Sequence, residues 1–308
     1  MMRFLRHAGV FCAGSCLLSV ALLAQPAHGA DQAKRVDRWA ASASDDYLIF
    51  PDVTYGVANN TQLKLDMWER KGQKEPAPTL IYYHGGGWIF GDRTGATMMF
   101  MPFLVRGWNV VNVEYRMASS SLAPAAVEDT RCAYRWVIRN AKTYNIDTKR
   151  IVLTGHSAGG HLALISGMLP AGTSLDNNCY GDEALRPAAI INWFGPTDLN
   201  DLIAGPNTRN YARMWLGSQL NADAIAREVS PLTYVRKDLP PIISVHGDSD
   251  PVVPYSHAVR LHKALDTAGS PNELITIKGG MHGGFKPDEL EDAYARIFSF
   301  LSAHGVTP

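Results

Sequence analysis

The chain has 308 residues, 46% of them hydrophobic and 19% charged, with 29 basic residues balanced by 29 acidic ones. That length can bury a large core, as one α/β domain or two small ones, and the composition excludes a disordered chain. The charge balance excludes a nucleic-acid surface built on a basic surplus and an acidic tail, so an uncharged or weakly charged substrate is expected and no nucleic acid partner.

The first thirty residues read as a signal peptide. Arg3 and Arg6 precede the apolar run "AGVFCAGSCLLSVALLA", and "QPAHGA" supplies small residues, Ala27 and Gly29, before a cut near Ala30. The run is short for a membrane anchor and no other long apolar stretch follows, so residues 31–308 are expected as an exported chain without a stable membrane anchor, in the periplasm or the medium. "AGSC" ending at Cys16 is a faint lipoprotein box that lacks the expected leucine. Of four cysteines, Cys132 and Cys179 remain after the cut; an oxidising compartment permits them to pair, although two cysteines do not establish a bridge.

From Val53 to Glu69 the segment "VTYGVANNTQLKLDMWE" alternates polar and apolar residues around "ANN", which predicts an antiparallel hairpin at a sheet edge. The continuous apolar runs "TLIYYHG", "WNVVNVEYR", "RIVLTGH", "AAIINWFG", "PPIISVHG" and "ELITIKGG" then alternate with helical stretches, the pattern of buried parallel strands in a doubly wound sheet. One helix is predicted in "APAAVEDTRCAYRWVIRNAKTYN", with Ala126, Ala133, Trp136 and Val137 on one face. Another is predicted in "YSHAVRLHKALDTAG", which spaces Val259, His262 and Leu265 at helical period before a glycine stop. The least regular stretch, 198–231, holds the helix-like piece "NYARMWLG" and is a candidate cap.

In "RIVLTGHSAGGHLALISG", Ser157 stands between Gly155 and Gly159 where a strand gives way to a helix. A tight turn needing small residues explains the glycines by themselves. At the end of a parallel strand, however, G-x-S-x-G is the pattern of a nucleophile elbow, whose serine needs a base and oxyanion donors. "YYHGGGWIFGD" offers the amides of Gly86 and Gly87, with that of Ala158 as partner, and His84 is expected to brace the loop. Among His84, His156, His161, His246, His257, His262, His282 and His304, the base is expected to be His282, which follows the last apolar run between glycines in "KGGMHGGF". The acid that orients it is expected to be Asp250 in "SVHGDSDPVVP"; Asp248 suits loop capping and Asp198 is an outsider. Trp88, Tyr211, Met214 and Trp215 are candidates for a substrate wall, although large apolar residues are more often core.

With these residues placed, the chain resembles the α/β-hydrolase superfamily from about Val53 to its C-terminus. "HGGGW", "EYRM…APAAVEDTRCAYRWV", "GHSAGGHLA", "WFGPTDL" and "HGDSDPVVP" are similar to the bacterial feruloyl-esterase-type carboxylesterases, near relatives of the hormone-sensitive-lipase-like esterases. The resemblance implies an α/β-hydrolase fold with helices on both faces and a small cap insertion. It also implies ester hydrolysis through an acyl-enzyme, without metal or organic cofactor, on short acyl esters, acetylated sugars or feruloylated polysaccharide. His156 stands where many hormone-sensitive-lipase-like members carry an acid, and "MASSSLAP" replaces a tighter proline-rich segment. An amidase or peptidase, an arylformamidase, and a non-catalytic binding protein on the same fold are the alternatives.

Overall fold

The computed structural model describes residues 45–308; the expected signal peptide, with Cys16 and the cut near Ala30, lies outside them. The hairpin forms as β1 (Tyr47–Ala58) and β2 (Thr61–Arg70), antiparallel. Its turn residues Asn59 and Asn60 have φ of 49° and 58°, as a type I′ turn requires, and asparagine is among the few residues that take this conformation without large strain.

The apolar runs become β3 (Ala77–Tyr83), β4 (Asn109–Val113), β5 (Ile146–His156), β6 (Ala189–Trp193), β7 (Ile242–Gly247) and β8 (Asn272–Ile277). The eight strands form one sheet in the order β1-β2-β4-β3-β5-β6-β7-β8, antiparallel from β1 to β4 and parallel from β4 onward. Every residue of β3, β4, β6 and β7 is buried, so both faces of the sheet are covered, and this is why those strands read as unbroken apolar runs.

Helices α1 (Ala125–Arg139) and α2 (Ala158–Met168) follow β4 and β5. Every residue of α2 is buried; it packs on β3, β5, β6 and α1, which explains a helix without a polar face. Between β6 and β7 the chain forms α3 (Leu199–Ile203), α4 (Asn210–Leu216) and α5 (Ala222–Glu228), and α6 (Ser256–Ala268) and α7 (Pro287–Ala303) complete the chain. In α6 the buried residues are His257, Ala258, Leu261, His262 and Leu265. Val259, grouped with His262 and Leu265 by its spacing, is 42% exposed because a helix turns its neighbouring position away.

Cys132 on α1 is bonded to Cys179 in the loop before β6. That loop also brings Asp176 to Arg131 (2.7 Å) and Arg135 (3.0 Å), and Glu183 to Arg139 (2.7 Å).

Candidate active site

Ser157 occupies the sharp turn from β5 into α2 with φ 56° and ψ −119°, a strained conformation for a residue with a side chain, costing on the order of 1–3 kcal/mol. The surroundings fix it: its N–H donates to the Trp193 carbonyl at 2.8 Å, and its own carbonyl accepts from His161 N–H at 3.0 Å. Gly159 makes the turn possible, because a Cβ there would lie 1.9 Å from the Tyr83 carbonyl oxygen.

The chain ends of β7 and β8 bring two more side chains to this serine. His282 Nε2 lies 2.8 Å from Ser157 Oγ, and His282 Nδ1 lies 2.7 Å from Asp250 Oδ2. Asp250 Oδ1 accepts the amides of Val252 and Val253 at 2.8 and 3.0 Å. Burial by itself would raise the Asp250 carboxyl, but hydrogen bonds from His246 and His282 outweigh it and hold the group well below the usual carboxylate range. An ionised Asp250 fixes the Nδ1–H tautomer of His282 and leaves Nε2 free to accept the serine proton. The Asp250 side chain is wholly buried while that of His282 is 19% exposed, so the pair is shielded on one side and open to a ligand on the other.

The glycine loop after β3 lies against Ser157: a Cβ on Gly85 would stand 3.6 Å from Ser157 Cβ. Gly86, Gly87 and Trp88 have φ of 121°, 59° and 61°, and the turn closes through the amides of Ile89 and Phe90 on the Gly86 carbonyl. A side chain on Gly86 would place Cβ 1.8 Å from the Phe90 carbonyl oxygen. Ala158 is the first residue of α2, where an N–H has no acceptor within its helix. His84 bonds Gly85 O through Nδ1 at 2.8 Å and stacks on Tyr115, bracing the loop from behind.

The expected substrate wall needs correction. Trp88 and Trp215 have no accessible surface; their indoles stack at 4.2 Å, with His161 edge-on to both, so they are core and offer nothing to a ligand. Tyr211 is partly exposed, its ring beside Gly87 and its hydroxyl donating to the Val252 carbonyl at 3.1 Å. Met214 is exposed and lines a groove with Ile203, Asn210 and Arg213 rather than with Ser157. The residues that do border the site escaped notice in the sequence. Phe90 is 67% exposed with its ring beside Gly86, and Phe194, at φ 43°, sets its ring edge-on to His282 at 4.7 Å and to Phe285 at 5.9 Å. Their only signal was position: Phe90 stands three residues past the triglycine, and Phe194 directly follows β6, the strand beside β5.

The other acids and histidines have structural partners. Asp248 accepts the Gly279 amide, and Asp198 caps α3 and pairs with Arg260. His161 donates to the Val229 carbonyl, and burial lowers it to about 4. His156 lies 3.1 Å from the Tyr82 hydroxyl and stacks on Trp193; burial, then the nearby His282, lower it to about 3. Among the described residues no group of three or more His, Cys, Asp or Glu is arranged to hold a metal, and no helix is long and apolar enough to cross a membrane.

A mostly parallel sheet with a strained serine at its central strand end defines an α/β-hydrolase. A model of the BD-FAE family matches residues 65–265, and the chain belongs to that family. Esterase LipQ of Mycobacterium tuberculosis is 29% identical over 283 residues, covering 88% of this chain and 62% of LipQ. The chain thus spans less than two thirds of the length of the first curated relatives it matches. Among solved structures, a truncated carbohydrate esterase from gut microbiota superposes with a TM-score of 0.72 at 27% identity, over 84% of this chain and 99% of that one. Esterase 2 of the planctomycete Thermogutta terrifontis does so with a TM-score of 0.72 at 26% identity, over 85% and 94% respectively, and has also been solved with butyrate bound and phosphoramylated by tabun.

Proposed function

We propose that the chain is an exported serine carboxylesterase acting on short-acyl or aromatic-acyl esters, with Ser157 as nucleophile, His282 as base and Asp250 as the acid that orients it. The observation that carries this reading is the unbroken pair of hydrogen bonds from Ser157 Oγ through the His282 ring to Asp250, at 2.8 and 2.7 Å.

As Ser157 Oγ attacks the ester carbonyl, its proton passes to His282 Nε2, and the new oxyanion accepts amide hydrogens from Gly86, Gly87 and Ala158. Collapse breaks the bond to the alcohol, which leaves with the proton from His282. Water then gives a proton to His282 and attacks the acyl carbon; as the bond to Ser157 Oγ breaks, the carboxylic acid leaves and His282 returns the proton to Ser157. The kinship with named esterases supports the ester bond as substrate. Phe90, Phe285 and Tyr211 around the opening favour a short or aromatic acyl group, and the gut esterase's name favours saccharide esters. The Cys132–Cys179 bridge is compatible with export. Residues 198–231 act as a small cap, in which Tyr211 is the substrate contact.

The test is a panel of acetyl-xylan, methyl ferulate and graded p-nitrophenyl esters, with a fluorophosphonate probe located by mass spectrometry. Labelling of Ser157 and a preference for acetyl or feruloyl over long-chain esters are expected. An unlabelled Ser157 rejects the mechanism, and a higher specificity constant for long chains rejects the substrate class.

A further inference from the structure

One buried titratable side chain touches the triad and has no part in the scheme above. His246, near the end of β7, has no accessible surface, and its Nε2 lies 3.2 Å from Asp250 Oδ2 and 3.1 Å from the Val253 carbonyl oxygen. We infer that His246 is a positioning residue for Asp250, fixing the carboxylate oxygen that orients His282; this rests on the serine-esterase reading.

Both groups beside Nε2 are acceptors, so Nε2 carries the hydrogen and the ring is a donor there. Asp250 Oδ2 is the same oxygen that meets His282 Nδ1 at 2.7 Å, while Oδ1 is taken by the amides of Val252 and Val253. His246 therefore completes the restraint of the carboxylate. Without its donor, Oδ2 would be held by His282 alone, whose ring must itself be held by Oδ2. The Val253 peptide closes the arrangement, since its N–H holds Oδ1 and its carbonyl shares the His246 hydrogen. Phe194 and Tyr255 meet the His246 ring edge-on at 6.5 and 5.7 Å and keep its tilt.

His246 Nδ1 is buried without a hydrogen-bond partner. A buried polar atom left unpaired costs free energy that a phenylalanine or leucine filling this space would avoid. Packing therefore does not account for an imidazole here, whereas a donor shared between the Val253 carbonyl and the buried carboxylate does. The charged and titratable groups facing this ring are Asp250 and Tyr255, with His257 further off and His282 across the carboxylate.

The test compares His246→Phe with His246→Gln in the full chain, using p-nitrophenyl acetate across pH, beside Ser157→Ala. His246→Phe keeps the volume and removes the donor. It should lower kcat about tenfold or more and leave KM within about twofold, as loss of a hydrogen bond to a charged group does. Relieved of one donor, the carboxylate becomes more basic and favours the imidazolium of His282, so the acidic limb of kcat/KM should move to higher pH. The Gln amide can still donate, and His246→Gln should recover kcat to within about threefold of the unaltered chain, which packing alone would not produce. Unchanged kcat and an unmoved limb in His246→Phe, or a Gln variant no better than Phe, overturn the inference. Should His246→Phe not fold, nitrogen-15 spectra of the unaltered protein decide: the proton of His246 is expected on Nε2, and finding it on Nδ1 overturns the assignment. Full turnover by Ser157→Ala would bring down the esterase reading and this inference with it. Loss of turnover there, with unaltered kinetics in His246→Phe, brings down this inference alone.

Discussion

Among the described residues, two histidine–carboxylate contacts invite comparison, Asp250–His282 and Asp201–His257, and only the first has a serine hydroxyl on the other imidazole nitrogen. In the second, His257 Nδ1 accepts the Thr197 amide at 3.0 Å, Nε2 faces Asp201 at 3.2 Å, and Arg260 also binds that carboxylate, at 2.8 Å. Nδ1 is taken by a backbone amide, the acid pairs with the Arg260 guanidinium, and burial followed by Arg260 lowers the imidazole to about 4. In the first pair no arginine intrudes and Nε2 points at a hydroxyl. A histidine next to an aspartate is thus a common packing device; what sets the first pair apart is the serine hydroxyl that meets its second nitrogen.

The sharpest break of this comparison is Ser157→Ala or His282→Ala, each expected to cut turnover of p-nitrophenyl acetate by roughly 10⁴-fold or more. Asp250→Asn should cost about 10⁴-fold in kcat by favouring the wrong tautomer. Asp201→Asn, at the second pair, should leave kcat within about threefold, and equal losses in the two would erase the distinction. Gly86→Ala should reduce kcat about a hundred-fold and lower the melting temperature as well, since its Cβ would force the loop away from Phe90 and the oxyanion.

The smallest effect is on stability. His161 and His257, lowered to about 4 by burial, stay neutral in the fold while the unfolded chain takes up protons below about 6.5. Stability should therefore be greatest above that pH and fall as pH drops toward 4, by at most about 1.4 kcal/mol per pH unit for each ring. Urea midpoints at pH 7, 6 and 5 measure it, and a flat series would contradict the burial of these rings.

Much of this was legible in the sequence because it depends on local rules. Asn59 and Asn60 announce a positive-φ turn, strands covered on both faces read as apolar runs, and Ser157, Asp250 and His282 each follow such a run. What was not legible depends on partners distant in the chain. Trp88 beside a triglycine resembles a binding residue until α4 buries it under Trp215, and Val259 differs from Leu261 only in which way the helix is rotated. His246 stood in plain view four residues before Asp250, but nothing local reveals that a strand residue's ring turns back onto the following loop.

The strap between Asp176 and Glu183 is secured to α1 in two chemically unrelated ways. One is covalent, at Cys132; the other is ionic, through Arg131, Arg135 and Arg139, which recur every four residues and so share one side of the helix. Thiols attack only the first, and strong acid only the second, where the guanidiniums outweigh burial to keep Asp176 ionised below the usual range. Neither a reducing nor an acidic milieu alone unfastens the segment leading into β6, the strand whose carbonyl at Trp193 receives the Ser157 amide.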